Sequence, residues 1–122
     1  MNRVIHFAAL AASVLALSAT RALAHCFLDR STPSAASVLY GSPPQVVLYF
    51  DNEFNPDATT VRVLNENGDV VSGNASASTD RRELVAPLMK VPPGQYFVKW
   101  RATSQDGDHT MGAYSFTVKA AP

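Results

Sequence analysis

The stretch from Gln95 to Thr103 reads QYFVKWRAT and decides the fold class of the chain. Tyr96, Val98 and Trp100 occupy every second position of it, which is the period of a β-strand with one face toward a core. Two of the intervening positions are cationic, as expected of a face toward solvent. The stretch therefore predicts a long amphipathic strand.

Shorter runs of the same kind surround this strand and are separated by turns rich in Gly, Pro and Asn. They are Val46–Phe50, Thr60–Leu64, Leu84–Leu88 and Ala113–Val118. Asn67-Gly68 predicts a tight hairpin with positive φ at both central positions. Ser72–Thr79 is small and polar and predicts a loop or a weak edge strand. About seven short strands with regular turns predict an all-β domain, a two-sheet antiparallel β-sandwich of immunoglobulin-like type.

The chain has one cysteine, Cys26, so no disulfide forms within it and thiolate-rich zinc sites are excluded. Stability must then come from apolar packing between the two sheets. The expected core anchors are aromatic: Phe50, Tyr96, Trp100 and Phe116.

Residues 1–24, MNRVIHFAALAASVLALSATRALA, have the three parts of a secretory signal peptide. Arg3 supplies the positive region, Val4–Ala19 the apolar region and Ala22–Ala24 the small-residue cleavage site. The apolar region is shorter than the ~20 residues of a spanning helix, which favours cleavage over a membrane anchor. We therefore expect an exported chain of residues 25–122 that begins at His25 and is not embedded in the membrane.

The charge balance excludes one class of partner. The 122 residues carry ten Lys and Arg and ten Asp and Glu, a net charge of zero. Cleavage would remove Arg3 and Arg21, leaving eight cations against ten acids, a net charge of −2. Such a chain has no excess cation to neutralise phosphates, so a nucleic-acid partner is not expected.

Two places in the mature chain carry metal-binding chemistry. At a mature N-terminus, His25 would offer an α-amine and an imidazole that close a chelate ring on one ion, a nitrogen pair that favours Cu(II). The segment Ser104–His109, SQDGDH, places Asp106, Asp108 and the other mature histidine, His109, within four positions. Taken alone this loop is typical of a solvated turn. Together with an N-terminal histidine it predicts a metal site.

The mature chain resembles the CopC family of periplasmic copper-binding proteins, including its PcoC branch. The resemblance rests on the order and spacing of five features. They are His25 after the cleavage site, the segment Ser31–Ser37, the strand Val46–Phe50, the run Pro93–Trp100 (PGQYFVKW) and the loop from Ser104 to Gly112.

The resemblance implies a small Greek-key β-sandwich. It also implies a Cu(II) ion held by the amine and imidazole of His25, by Asp106 and by a loop histidine. Here the chain departs from the family: with Ser104 and Gly112 at family spacing, Asp108 occupies the histidine position and His109 follows it. Either the loop bends so that His109 reaches the metal, or Asp108 replaces it as an oxygen donor. We favour His109, because a neutral imidazole suits copper better than a second carboxylate.

Cys26 is the unfamiliar residue beside the expected chelate. Its thiol has several possible roles: it would bind Cu(I) as thiolate, reduce Cu(II) or join two chains. The plainer interpretation is a small buried hydrophobe on the first strand. The only methionines after residue 24 are Met89 and Met111, too far apart in sequence to predict a thioether site for Cu(I).

The resemblance implies a monomeric, non-enzymatic periplasmic protein that buffers or carries Cu(II) for copper homeostasis and resistance. The family is associated with an inner-membrane importer of the CopD type, which is the expected partner. Two other hypotheses remain open at this point. One is a copper-dependent redox enzyme of the histidine-brace type, and the other is a sandwich module that binds protein without metal.

Overall fold

The structure is a computed structural model that describes residues 25–122. The signal peptide expected at 1–24 lies outside the described residues. Eight strands and one 3-10 turn, Pro56–Ala58, follow one another along the described chain. The strands are β1 (Leu28–Thr32), β2 (Val38–Tyr40), β3 (Gln45–Phe50), β4 (Thr60–Leu64), β5 (Ser76–Ala77), β6 (Glu83–Pro87), β7 (Gly94–Thr103) and β8 (His109–Lys119).

The strands form two four-stranded sheets, ordered β1-β3-β6-β5 and β2-β8-β7-β4. The predicted all-β sandwich is confirmed, with eight strands against the expected seven or so. The two shortest, β2 and β5, lie at sheet edges, and β5 falls within the predicted loop or weak edge strand. All pairs are antiparallel except β2 with β8, which run parallel. Within residues 25–122, no helix is long and apolar enough to cross a membrane.

The core lies between the sheets and is anchored by the expected aromatic residues. Tyr96 stacks on Phe116 with ring centroids 5.6 Å apart. Phe50 meets Trp100 edge to face at 5.6 Å, and Trp100 itself is only partly buried. One anchor was missed: Phe54 is fully buried and packs edge to face on Phe50 at 5.4 Å. The polar residues around Phe54 indicate only a strand end, so its burial is a consequence of tertiary packing.

The hairpin at Asn67-Gly68 has a different turn from the one predicted. Asn65 N donates to Asp69 O (2.9 Å) and Gly68 N donates to Asn65 O (3.0 Å), which closes a three-residue loop. Only Gly68 in this loop has positive φ, at 82°. These bonds define a type I turn followed by a glycine bulge, the usual form of a three-residue hairpin loop. The Asn65 side chain accepts from the amides of Asn67 and Asp69 and so favours this longer loop.

Gly112 leaves room for an indole ring. It is paired with Trp100 across β7 and β8, and a Cβ at Gly112 would lie 2.5 Å from Trp100 Cζ2. Gly112→Ala is therefore expected to destabilise the domain by about 1–3 kcal/mol, the usual effect of overpacking. Urea denaturation measures this loss. In a Trp100→Leu background the same substitution should have a much smaller effect, and an equal loss in both backgrounds would contradict the steric explanation.

Candidate metal centre

The position of His25 is set by the two residues that follow it. Cys26 is buried at 1% exposure, and its carbonyl accepts a hydrogen bond from the Thr110 hydroxyl on β8. Phe27 N donates to Asp51 Oδ1 (2.8 Å), and Asp51 N donates back to Phe27 O (3.0 Å). The chain is thus fixed at Cys26, and His25 emerges exposed at the end of the sandwich that carries the β7–β8 loop.

The Cys26 thiol points into the protein core. Its Sγ donates to Glu53 O at 3.0 Å, and the residue belongs to the main apolar cluster. Burial raises the pKa of the thiol, and the negative charges of Asp51 and Asp106 raise it further. A protonated, buried thiol favours a packing role over thiolate chemistry or an interchain disulfide.

The loop between β7 and β8 has the same turn as Asn65–Asp69. Ser104 N donates to Asp108 O (2.8 Å), Gly107 N donates to Ser104 O (3.0 Å), and Gly107 has φ 92°. The buried Ser104 hydroxyl takes the place of the Asn65 side chain: it donates to the Asp106 carboxylate and accepts from Asp108 N at 3.1 Å. Gly107 therefore allows a bulged hairpin turn, and the carboxylate of Asp106 is fixed by Ser104.

These hydrogen bonds set the charge state of Asp106. The Ser104 hydroxyl lowers the pKa of its carboxyl most, and the backbone N–H groups of Asp106 and Asp108 and the charge of His25 lower it further. The carboxylate thus stays ionised to more acidic pH than an ordinary aspartate. A proton competes less with a cation at such an oxygen.

Ser104→Ala is expected to raise the pKa of Asp106 toward the ordinary value of ~3.9. Because the folded-state pKa lies below the unfolded one, ionised Asp106 stabilises the fold above that ordinary pKa, and the contribution is lost as pH falls through the folded pKa. The variant loses this contribution. Titration of the Asp106 carboxyl carbon by NMR measures the change.

Asp80 provides an internal control for that titration, since its pKa is lowered chiefly by a hydrogen bond from Ser78. Ser104→Ala should leave Asp80 unchanged, and Ser78→Ala should move Asp80 without moving Asp106. An Asp106 midpoint that does not respond to Ser104→Ala would show that the hydroxyl is not the cause.

The structure brings His25 next to the loop. His25 Nδ1 lies 3.7 Å from Asp108 Oδ2, and both side chains are about half exposed, at 48% and 53%. Asp106 lies in the same bulged turn, two residues before Asp108. His25 and the loop that carries Asp106 and Asp108 therefore lie at the same end of the sandwich.

His109, the fourth, begins β8 and is paired with Thr103, the last residue of β7. Its Nδ1 lies 3.0 Å from Thr103 Oγ1, and the residue is exposed. In an extended backbone from residue 106 to 109, Asp108 and His109 would point to opposite sides. The turn ends that alternation at Asp108, so strand periodicity does not decide between Asp108 and His109.

In the part of the chain that the structure describes, no three His, Cys, Asp or Glu side chains gather in a group that could hold a metal ion. The side chains of His25, Asp106, Asp108 and His109 thus do not gather around one point in this structure, although His25 approaches Asp108. The imidazoles and carboxylates at this end are nevertheless of the type that Cu(II) accepts.

The segment Phe54–Thr59 supports the β7–β8 loop and was not predicted from the sequence. Asn55 N donates to Thr103 O (2.7 Å), and Gln105 Nε2 donates to Phe54 O (2.8 Å). The Asn55 side chain accepts from Asp57 N and so caps the 3-10 turn that follows. Asn-Pro before a short polar run is a turn pattern that could have indicated the turn, although not its contact with β7.

Comparison with solved structures gives the same fold. The crystal structure of CopC from Methylosinus trichosporium OB3b matches with a TM-score of 0.76 and 32% identity, covering 80% of this chain and 97% of that one. PcoC, a methionine-rich copper resistance protein from Escherichia coli, matches with a TM-score of 0.70 and 27% identity, covering 79% and 100%.

Two further proteins are about as similar to this chain in sequence as PcoC is. Protein YobA of Escherichia coli (strain K12) is 29% identical over 100 residues, which cover 79% of this chain and 80% of YobA. The copper transport protein CutJ of Bacillus subtilis (strain 168) is 28% identical over 101 residues, which cover 80% of this chain but only 19% of CutJ. A family model described as the CopC domain matches residues 28–119. Because this match runs from the first residue of β1 to the last residue of β8, the chain belongs to the CopC domain family.

Proposed function

We propose that the chain is a periplasmic copper-binding protein that buffers or carries Cu(II) for copper homeostasis and resistance. Residues 1–24 direct export and are removed after Ala24, so that the mature protein begins at His25. The observation that carries the proposal is the 3.7 Å approach of His25 Nδ1 to Asp108 Oδ2, in a loop that also holds Asp106 and is followed directly by His109 at the start of β8. Membership of the CopC family supports it.

The ion would be held by nitrogen and oxygen donors at the exposed end of the sandwich. The α-amine and Nδ1 of His25 form the chelate, Asp106 supplies a charged oxygen, and the imidazole of His109 supplies the further nitrogen. Asp108 is the alternative to His109. A set of this composition suits Cu(II), which heads the divalent affinity order for nitrogen ligands.

A membrane importer of the CopD type is the proposed recipient of the copper. CutJ, named as a copper transport protein, contains a region similar to this chain as 19% of its length. A region similar to this chain is thus part of a protein named for copper transport. This chain would then act as a monomeric carrier in the same process.

We propose a binding role rather than catalysis. The described residues contain two histidines, His25 and His109, and their surroundings are a short polar loop. The named copper relatives are a resistance protein and a transport protein. A protein-binding module without metal would not require a carboxylate beside His25.

Two measurements on the exported chain test this proposal. Mass spectrometry should give a first residue of His25, and titration with Cu(II) should saturate at one ion per chain, with a tetragonal paramagnetic resonance spectrum rich in nitrogen couplings. A mature chain with another first residue, or one that takes up no Cu(II) at one equivalent, would contradict the proposal.

A further inference from the structure

Thr103 is a buried polar residue whose side chain touches His109. It is the last residue of β7 and is 4% exposed. Its hydroxyl Oγ1 makes two contacts, to Ala58 O at 2.6 Å and to His109 Nδ1 at 3.0 Å. The roles in these two hydrogen bonds are fixed by counting protons.

A threonine hydroxyl has one hydrogen to donate, and a backbone carbonyl has none. The short contact to Ala58 O therefore takes the Thr103 proton, since two acceptors at 2.6 Å would repel each other. Toward His109 the hydroxyl can then only accept, so Nδ1 must carry the hydrogen. In a neutral imidazole with Nδ1–H, the other nitrogen, Nε2, bears the free lone pair.

The hydroxyl is held in place by the loop support Phe54–Thr59. Thr103 N donates to Thr59 Oγ1 (3.1 Å), and Thr103 O accepts from Asn55 N (2.7 Å). Backbone groups on both sides of the Thr103 side chain are thus bonded to this segment, which also provides the Ala58 carbonyl. Because these partners are fixed, the acceptor offered to His109 has little freedom to turn away.

We propose that Thr103 is a positioning residue that fixes His109 in the Nδ1–H tautomer and thereby presents Nε2 as the copper donor. The tautomer itself follows from the hydrogen bonds, whereas its use for copper rests on the proposed function. Hydrogen-bond partners of this kind orient metal-binding imidazoles, and their loss typically lowers metal affinity by about 10–100-fold.

The test compares Thr103→Val, which keeps the shape and loses the hydroxyl, with Thr103→Ser, which keeps the hydroxyl. Long-range proton–nitrogen NMR of the metal-free, labelled chain at about pH 8, above the ordinary histidine pKa of ~6.5, reports the tautomer of each ring. The wild type and Thr103→Ser should show protonated Nδ1 and bare Nε2 at His109. Thr103→Val should lose this pattern, while His25 stays unchanged in all three.

Competition titration with Cu(II) forms the second arm. Thr103→Val should bind about 10–100-fold more weakly than the wild type, and Thr103→Ser within a few-fold. Thr59→Val is the structural control, because it removes one hydrogen bond to the Thr103 backbone and leaves in place the bond from the Thr103 hydroxyl to Ala58 O, which sets the role of the hydroxyl toward His109. It should keep the His109 tautomer even where stability falls.

The outcomes separate this inference from the proposed function. A wild-type chain that binds Cu(II) with His109 protonated on Nε2 overturns the inference alone, as does a Thr103→Val chain with unchanged tautomer or unchanged affinity. A chain that shows the expected tautomer and binds no Cu(II) overturns the proposed function, and with it the copper role of Thr103.

Discussion

Replacement of His25 by alanine, in a chain that begins at residue 25, is expected to lower Cu(II) affinity by more than about 100-fold. The substitution removes the imidazole arm of the chelate and leaves only the α-amine at that residue. Loss of a direct donor should exceed the 10–100-fold typical of a partner that only supports a ligand. Competition with a chelator of known Cu(II) affinity measures the change.

Phe27→Ala is the matched control for this variant. Phe27 is exposed, and its ring lies 5.6 Å from that of His25, but it offers no donor atom. We expect its Cu(II) affinity to stay within a few-fold of the wild type. If His25→Ala and Phe27→Ala bind equally well, the ion is not held by the imidazole of His25.

Replacement of His109 is expected to have the second largest effect. His109→Ala should remove one imidazole nitrogen from the paramagnetic resonance spectrum and weaken Cu(II) binding by about 100-fold, whereas Asp108→Ala should weaken it by less than about tenfold. The reason is that Cu(II) gains more from a neutral imidazole than from a second carboxylate.

Asp69→Ala is the control for Asp108→Ala, because Asp69 occupies the same position in the equivalent turn at Asn65–Asp69. This variant shows how much Cu(II) binding changes when the loss of an aspartate from such a turn alters only the net charge or the folding of the chain. A larger loss in Asp108→Ala than in His109→Ala, with the nitrogen couplings kept in the latter, would assign the last ligand to Asp108.

The strands were predictable where burial on one face imposes a period of two. The predicted strand Gln95–Thr103 matches β7, and Thr60–Leu64 matches β4, because both have one face on the core. The edge strands β2 and β5 have three and two residues, too few to show a period. The parallel pairing of β2 with β8 depends on how the chain crosses between sheets, which no local pattern encodes.

The residues of the candidate site stay a prediction from the sequence, and the structure adds the geometry around them. Histidine and aspartate types at the N-terminus and in one loop pointed to the same end of the sandwich, where His25 and Asp108 meet. The bulged turn at Gly107 was not anticipated, and it depends on backbone hydrogen bonds rather than on the loop's charged residues. The hydrogen bond from Thr103 to Ala58 could not be predicted from the sequence, because the two residues are 45 positions apart.

The central claim is that copper is chelated by the α-amine and imidazole of one N-terminal histidine. It is tested most directly by comparing the chain that begins at His25 with the same chain retaining Ala24, which turns the amine of His25 into a peptide amide. We predict that the extended chain folds equally well and binds Cu(II) more than about 100-fold more weakly, with one nitrogen coupling fewer. Equal affinity of the two chains would contradict the account.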